Sequence, residues 1–175
     1  HRDTKHQKRS DMQIIHGKSG WIEVICGPMF SGKSEELIKR IRRAQIAKRR
    51  VQIFKHGIDA RYDATNIVSH SQQSLPGIAV TAVADIMDLV DDRTELVAID
   101  EAQFFDHEIV AVTNKLANLG KRVIVAGLDL DYRALPFGPS QFDMLWSNLM
   151  LNWLDDPAPA LAEMARVMKV GGMLM

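Results

Sequence analysis

The chain has 175 residues and a formal net charge of +0, and 46% of its residues are hydrophobic and 25% charged. This length and balance are typical of one soluble globular domain with a small appendage. Because the net charge is zero, no overall electrostatic field favours binding to nucleic acid or to a membrane. The sequence also lacks the run of about 18 apolar residues that would indicate a membrane span. The single cysteine, Cys26, excludes an internal disulfide and a cysteine-rich zinc site within one chain.

The first 19 residues are polar and basic and contain no secretory signal. We predict that residues 1–19 form a disordered leader, since charge runs are usually solvated. The alternatives are a start site misplaced upstream of Met12 and a nucleic-acid-binding arm. The sequence therefore favours a cytoplasmic protein that binds neither nucleic acid nor membrane.

A phosphate-binding loop is predicted next. The pattern G-x-x-x-x-G-K-[ST] is filled by Gly27, Pro28, Met29, Phe30, Ser31, Gly32, Lys33 and Ser34. Glycines let backbone N–H groups approach phosphate oxygens, the lysine reaches the β- and γ-phosphates, and the serine hydroxyl can bind Mg²⁺. A strand predicted over 21–26 and a helix predicted over 35–50 provide the context that this motif requires. We prefer this interpretation to an ordinary glycine-rich turn.

The predicted helix over 35–50 has charges that complement its dipole. Glu35 and Glu36 lie in its first turn, and Lys48–Arg50 are placed in its last turn. Favourable pairs are expected four residues apart, namely Glu35 with Lys39 and Glu36 with Arg40. One apolar face is formed by Leu37, Ile38, Ile41 and Ala44.

Short strands and loops are predicted between residues 51 and 90. The expected strands cover 51–55, 67–70 and 78–83, with a polar loop over 56–66 and a turn-rich connection over 71–77. Asp85 is predicted to be the N-cap of a short helix that ends at Val90.

An acid pair ends the next predicted strand, over 96–101. Four apolar residues run into Asp100 and Glu101, as expected for a buried parallel strand that delivers carboxylates at its carboxyl end. Asp100 is the candidate for holding Mg²⁺. Glu101 should point to the other face and could accept a proton from an attacking hydroxyl. The alternative is a solvated acid pair without a role.

A helix over 106–119, stopped by Gly120, and a strand over 122–126 complete the pattern. The helix should be apolar at Ile109, Val110, Val112, Leu116 and Leu119. Strands that alternate with helices predict an α/β fold with a mostly parallel sheet and helices on both faces.

Residues 20–138 closely resemble thymidine kinases of the bacterial and human-cytosolic type, a class with a RecA-like P-loop core. The matching motifs are Gly20–Ile38, Asp59–Tyr62, Asp100–Phe105, Val125–Arg133 and Leu135–Gly138. The resemblance implies transfer of the γ-phosphoryl group of ATP to deoxythymidine, with Mg²⁺ as cofactor. It also suggests a homotetramer.

The resemblance assigns roles to individual residues. Lys33 and Ser34 would hold phosphates and Mg²⁺, Asp100 would be the metal-linked acid, and Glu101 would be the catalytic base. Arg61 would lie near the phosphates and Gln103 among the ATP contacts. Phe104 and Tyr132 would belong to the thymine pocket.

The chain departs from this family after Gly138. The zinc lobe with paired cysteines and the loop that closes over the nucleoside are absent from the sequence, so no zinc is expected. Residues 139–175 instead resemble a fragment of a class I S-adenosylmethionine-dependent methyltransferase of the malonyl-carrier-protein type. The matches are Phe142–Asn148, Leu151–Trp153 and Leu161–Leu174, including the turn-like Lys169–Gly172.

Methyl transfer is not inferred, because no glycine-rich loop of the methyltransferase family lies upstream. A strand over 142–147 and a helix over 157–169 are expected, with the chain ending as the last strand would begin. Asp155 and Asp156 should start that helix, and the methionines Met144, Met150, Met164 and Met168 should pack in the core. The junction fits a real fusion, an engineered chimera or an assembly error.

The leading hypothesis is a truncated ATP-dependent thymidine kinase core. Without the closing loop, the apparent KM for nucleoside should rise and turnover should fall. The alternatives are a non-catalytic nucleotide-binding remnant and a P-loop ATPase that transfers phosphate to water.

Overall fold

The computed structural model describes residues 20–57, 66–68, 74–128, 137–147 and 154–175. The strands are β1 (Trp21–Gly27), β2 (Val51–His56), β3 (Asn66–Val68), β4 (Ser74–Pro76), β5 (Ile78–Val80), β6 (Leu96–Asp100), β7 (Arg122–Leu128), β8 (Phe142–Ser147) and β9 (Met168–Leu174). The helices are α1 (Lys33–Ile46), α2 (Asp85–Leu89), α3 (Glu108–Asn118) and α4 (Ala158–Val167), and a 3₁₀ turn spans Ala102–Phe104.

Seven strands form one sheet in the order β5-β2-β6-β7-β1-β8-β9, and every neighbouring pair is parallel. The short strands β3 and β4 form a separate antiparallel pair. Because β7 lies between β1 and β6, the strand before the phosphate loop does not touch the strand that ends in the acid pair. All seven carboxyl ends lie at one edge, where such sheets bind ligands.

Apolar side chains fill both sides of this sheet. Helix α1 covers one side with Leu37, Ile38 and Ile41, which pack on Ile25 and Ile124 of the sheet. The opposite side carries a second cluster, to which α2, α3 and α4 contribute. This arrangement confirms the predicted α/β fold with helices on both faces. No helix in the described ranges has the length and apolar character needed to cross a membrane.

A buried ion cluster around Glu23 lies on the α1 side of the sheet, and only its Glu36–Arg40 pair was predicted from the sequence. Glu23 of β1 is 1% exposed. Its carboxylate accepts hydrogen bonds from Arg40 Nη1 at 2.6 Å, from Arg122 Nε at 2.6 Å and from Trp21 Nε1 at 2.7 Å. Arg40 is itself 7% exposed and also binds Glu36 at 2.7 Å, as the helical spacing predicts. The cluster joins α1, β1 and β7.

Helix α1 is shorter than predicted. It ends at Ile46, and Lys48 has a left-handed backbone with φ 56°, which stops the helix. Lys48–Arg50 therefore lie beyond the last turn, where Arg43 is the basic residue, so the predicted dipole contribution of these three residues is wrong. Lys39 pairs with Glu36 at 3.4 Å, and not with Glu35.

Four further local predictions need correction. The connection over 71–77 contains β4, which pairs with β3, and β5 stops at Val80. Asp85 is the first residue of α2 and Ala84 is its N-cap, although Asp85 Oδ2 does accept a hydrogen bond from Ala82 N at 3.2 Å. Leu119 is exposed, because it follows the end of α3.

The segment after residue 138 joins the same sheet. Strand β8 has the predicted bounds and pairs with β1, and α4 buries Ala160, Met164 and Val167 in the larger core cluster. Asp156 Oδ1 accepts a hydrogen bond from Ala158 N at 3.0 Å at the helix start. The expectation that the chain ends before the last strand is wrong, because β9 pairs with β8 as a seven-residue edge strand. Met150 and the leader over 1–19 lie outside the described residues.

Candidate active site

Residues 27–34 join β1 to α1: Gly27 ends the strand, and Lys33 and Ser34 begin the helix. Gly32 has φ 81° at the N-cap of α1, a conformation that glycine adopts without steric cost. Phe30 also has a positive φ, at 65°, and its side chain is exposed together with that of Met29. Ser31, within the loop, is buried. The N-terminus of α1, with its positive dipole end, therefore lies close to the carboxyl end of β1.

Lys33 folds back over this loop. Its Nζ donates hydrogen bonds to the carbonyl oxygens of Gly27 and Pro28, both at 2.8 Å. Burial lowers the pKa of Lys33, and the nearby carboxylates of Glu101 and Asp100 oppose this shift only in part. The loop lysine thus lies within the field of the acid pair, although their strands are not neighbours.

The two acids differ in burial and in backbone conformation. Asp100 is 7% exposed at the end of β6, and its Oδ1 accepts a hydrogen bond from Glu101 N at 2.9 Å. Glu101 is partly exposed and has left the strand, with φ 54° and ψ 41°. Strand alternation therefore does not explain its direction, and that part of the prediction is wrong. A non-glycine residue in this region stores strain, which is frequent at functional sites.

The 3₁₀ turn after Glu101 carries the next two candidates. Gln103 Nε2 donates a short hydrogen bond to Glu101 Oε2, and Phe104 is exposed. The turn packs closely on the end of β7: a Cβ on Gly127 would lie 3.2 Å from Ala102 Cβ and 3.3 Å from Gln103 Oε1. A side chain at Gly127 would therefore press on the residue that holds the Glu101 carboxylate.

Strand β2 brings two residues to this edge that sequence reasoning missed. Lys55 is 4% exposed, and its Cα partner on β6 is Asp100. His56 is buried on the other side of the strand, with its ring centroid 4.8 Å from that of Phe105 and 6.1 Å from that of Phe104. The position of residues 55 and 56 at the end of a predicted strand was the one signal that could have pointed to them, but these residues belong to no recognised motif.

The structure thus brings together most of the predicted site residues. The phosphate loop, Asp100, Glu101, Gln103 and Phe104 meet at the carboxyl edge of the sheet. Arg61 and Tyr132 lie outside the described residues.

The donors at this edge fit Mg²⁺ but do not form a protein cage for it. Ser34 on the first turn of α1 offers a hydroxyl oxygen, and Asp100 offers a buried carboxylate. No group of three or more His, Cys, Asp or Glu side chains suited to a metal occurs among the described residues. Magnesium usually keeps waters and substrate phosphates as ligands, so one or two protein oxygens suffice.

A model of the thymidine kinase family matches residues 20–152. The chain belongs to the thymidine kinase family. The match extends past Gly138 and covers all of β8, and the boundary between residues 138 and 139 stays a prediction. The membership identifies the domain as one of a nucleoside kinase family that uses ATP.

Among solved structures, the chain is similar to a protein of Methanococcus maripaludis assigned as an S-adenosyl-L-methionine-dependent methyltransferase. The identity is 16% and the TM-score 0.28, over 82% of this chain and 59% of the other. The chain therefore spans less than two thirds of the length of that protein.

Proposed function

We propose that this chain transfers the γ-phosphoryl group of ATP to the 5′-hydroxyl of deoxythymidine, as a cytoplasmic enzyme of nucleoside salvage. The observation that carries the proposal is the meeting of two elements at one edge: the phosphate loop with Lys33, and the Asp100–Glu101 pair whose charges act on that lysine. Phosphoryl transfer needs positioning and charge neutralisation more than covalent chemistry, and these elements would supply both.

The loop and α1 would bind the phosphates. On binding, the Lys33 ammonium would exchange the carbonyl oxygens of Gly27 and Pro28 for β- and γ-phosphate oxygens. Ser34 and Asp100 would hold Mg²⁺, which neutralises phosphate charge when it is bound. Arg61 and Gln103 are proposed as further ATP contacts, by their place in the family motifs.

Glu101 would act as the general base. The 5′-oxygen forms a bond to the γ-phosphorus while the bond from that phosphorus to the β–γ bridging oxygen breaks, and ADP leaves. The proton of the 5′-hydroxyl passes to the Glu101 carboxylate. Gln103 donates to Oε2 of this carboxylate, and Oε1 would take the proton. Phe104 and Tyr132 are proposed as walls of the thymine pocket.

The decisive experiment measures thymidine monophosphate formed from deoxythymidine and Mg·ATP. Glu101→Gln should lower kcat by about 10²–10⁴-fold, the usual contribution of a general base. Glu108→Gln is the matched control, since Glu108 is an exposed residue in the first turn of α3 and should leave the rate unchanged.

Other products would favour the other candidates. Phosphate release that does not depend on nucleoside would indicate an ATPase, and ATP binding without any product would indicate a binding remnant. Size-exclusion chromatography with light scattering tests the homotetramer that the resemblance suggests. A folded protein that makes no thymidine monophosphate would refute the proposed activity.

A further inference from the structure

Lys55 is a buried lysine at the carboxyl end of β2. It is 4% exposed, and its register partner on β6 is Asp100, which is 7% exposed. Residues in register on parallel strands project from the same face of the sheet, with backbones about 5 Å apart. The side chains of Lys55 and Asp100 therefore leave the backbone at adjacent positions on the same face of the sheet.

Both side chains lie on the α1 side of the sheet. Ile53 and Ala98, two residues earlier on their strands, pack in the core cluster that α1 covers. Because side chains alternate with a period of two, Lys55 and Asp100 point to that same side. The phosphate loop turns into α1 there, and the charge of Asp100 also acts on Lys33.

Lys55 and Asp100 are both buried, which makes the charge on each side chain costly unless it is compensated. Lysine and aspartate are almost never fully buried unless they are paired, since an isolated buried charge is costly. Lys33 is held by carbonyl oxygens of the loop and would move to the phosphates of ATP. A second cation on the neighbouring strand would then keep the Asp100 carboxylate in place during that exchange.

We propose that Lys55 is a positioning residue of the transfer site, whose positive charge, beside Asp100 in strand register, orients the Asp100 carboxylate for binding Mg·ATP. The inference rests on the proposed function, in which Asp100 is linked to the metal. Outer residues that orient a metal ligand typically contribute 10–100-fold to affinity or activity, by the general experience with such sites.

The test compares Lys55→Met and Lys55→Arg with a matched control, Lys121→Met. Lys121 is also buried, at 6% exposure, but its Nζ donates to the carbonyl oxygens of Asp91, Asp92 and Thr94 at the opposite edge of the sheet. The readouts are the Kd for a non-hydrolysable ATP analogue with Mg²⁺, measured by calorimetry, and the separate values of kcat and KM.

Lys55→Met should raise the Kd of the analogue about 10-fold or more and lower kcat by about 10–100-fold, with the KM for deoxythymidine nearly unchanged. Lys55→Arg should recover most of the loss, because it restores the charge. Lys121→Met should lower thermal stability but leave Kd and kcat as in the wild type. Wild-type affinity in folded Lys55→Met, or an equal loss in Lys121→Met, would overturn the proposal.

A double variant covers the case in which Lys55→Met does not fold. Lys55→Met with Asp100→Asn removes both charges and should bind the analogue as Asp100→Asn alone does. A further tenfold loss in the double variant would show that Lys55 acts independently of Asp100 and would also overturn the proposal. The binding readout needs no phosphoryl transfer, so it decides the role of Lys55 even if the chain makes no thymidine monophosphate.

Discussion

The buried carboxylate of Glu23, on the strand before the phosphate loop, should contribute strongly to the free energy of unfolding. Glu23→Gln keeps the shape of the side chain but removes the charge that two arginines share. Removing one partner of a buried ion pair typically costs about 3–5 kcal/mol, because the remaining charge is left uncompensated. Arg40 keeps Glu36 at 2.7 Å and Arg122 is partly exposed, so we expect the lower end, about 3 kcal/mol.

This loss is measurable by urea denaturation and by calorimetry. A protein of this size loses about 2–4 °C of melting temperature per kcal/mol, so Glu23→Gln should melt about 6–12 °C below the wild type. Glu95→Gln is the matched control, since its pair with Arg49 is exposed and should contribute at most about 1 kcal/mol. A change in Glu23→Gln no larger than that of Glu95→Gln would refute the reasoning.

The same cluster predicts a pH dependence. Burial alone would raise the pKa of Glu23, but the bonds and charges of Arg122, Trp21 and Arg40 outweigh it, so the pKa lies below its ordinary value. The contribution of Glu23 to stability is therefore complete above about pH 4.3 and is lost as the pH falls through the lowered pKa. Glu23→Gln should have a flatter stability profile in this acid range, whereas an equally steep profile would contradict the assignment.

Three other substitutions test the site and its support. Lys33→Met should weaken ATP binding and lower kcat/KM about 10²–10³-fold, measured by calorimetry and steady-state kinetics, and near-normal values would remove Lys33 from the site. Glu101→Gly should abolish product formation. It should also raise the free energy of unfolding in urea by up to about 1 kcal/mol, because a backbone φ of 54° costs less for glycine than for glutamate. A loss of stability would show that local contacts compensate the strain. Gly20→Ala should cost about 1–3 kcal/mol in the same assay, since its Cβ would lie 2.1 Å from the carbonyl oxygen of Lys121, and a neutral effect would mean that the backbone yields easily.

Local patterns predicted the parallel sheet and the main parts of the site. The apolar runs that end at Cys26 and Asp100, and the spacing of the glycines and Lys33, depend on neighbours in sequence, which is why β1, β6 and the phosphate loop were found. The end of α1 was misplaced because charge patterning does not say where the backbone turns left-handed, as it does at Lys48.

Long-range pairings account for what the sequence did not reveal. Glu23 resembles a solvent-facing residue of a strand until Arg40 and Arg122, 17 and 99 residues away, are placed around it. Lys55 acquires meaning only from the register of β2 with β6, and His56 only from its contacts with Phe104 and Phe105. Such residues carry no local signature, because their environment comes from strand order and not from chain order.

The strand order also relates the C-terminal segment to the site. Strand β8 pairs with β1 from Glu23 to Cys26, and Asp143 Oδ2 accepts a hydrogen bond from Ile22 N at 3.0 Å. Lys169 of β9 binds the same carboxylate oxygen at 2.8 Å, and Met144 Sδ lies 3.1 Å from Arg40 Nη1. The segment after residue 138 therefore packs against the strand and the helix that flank the phosphate loop. Substitutions in β8 should consequently change the stability of β1 and α1, whereas the proposed acceptor side of the site depends on β2, β6 and the turn that carries Phe104.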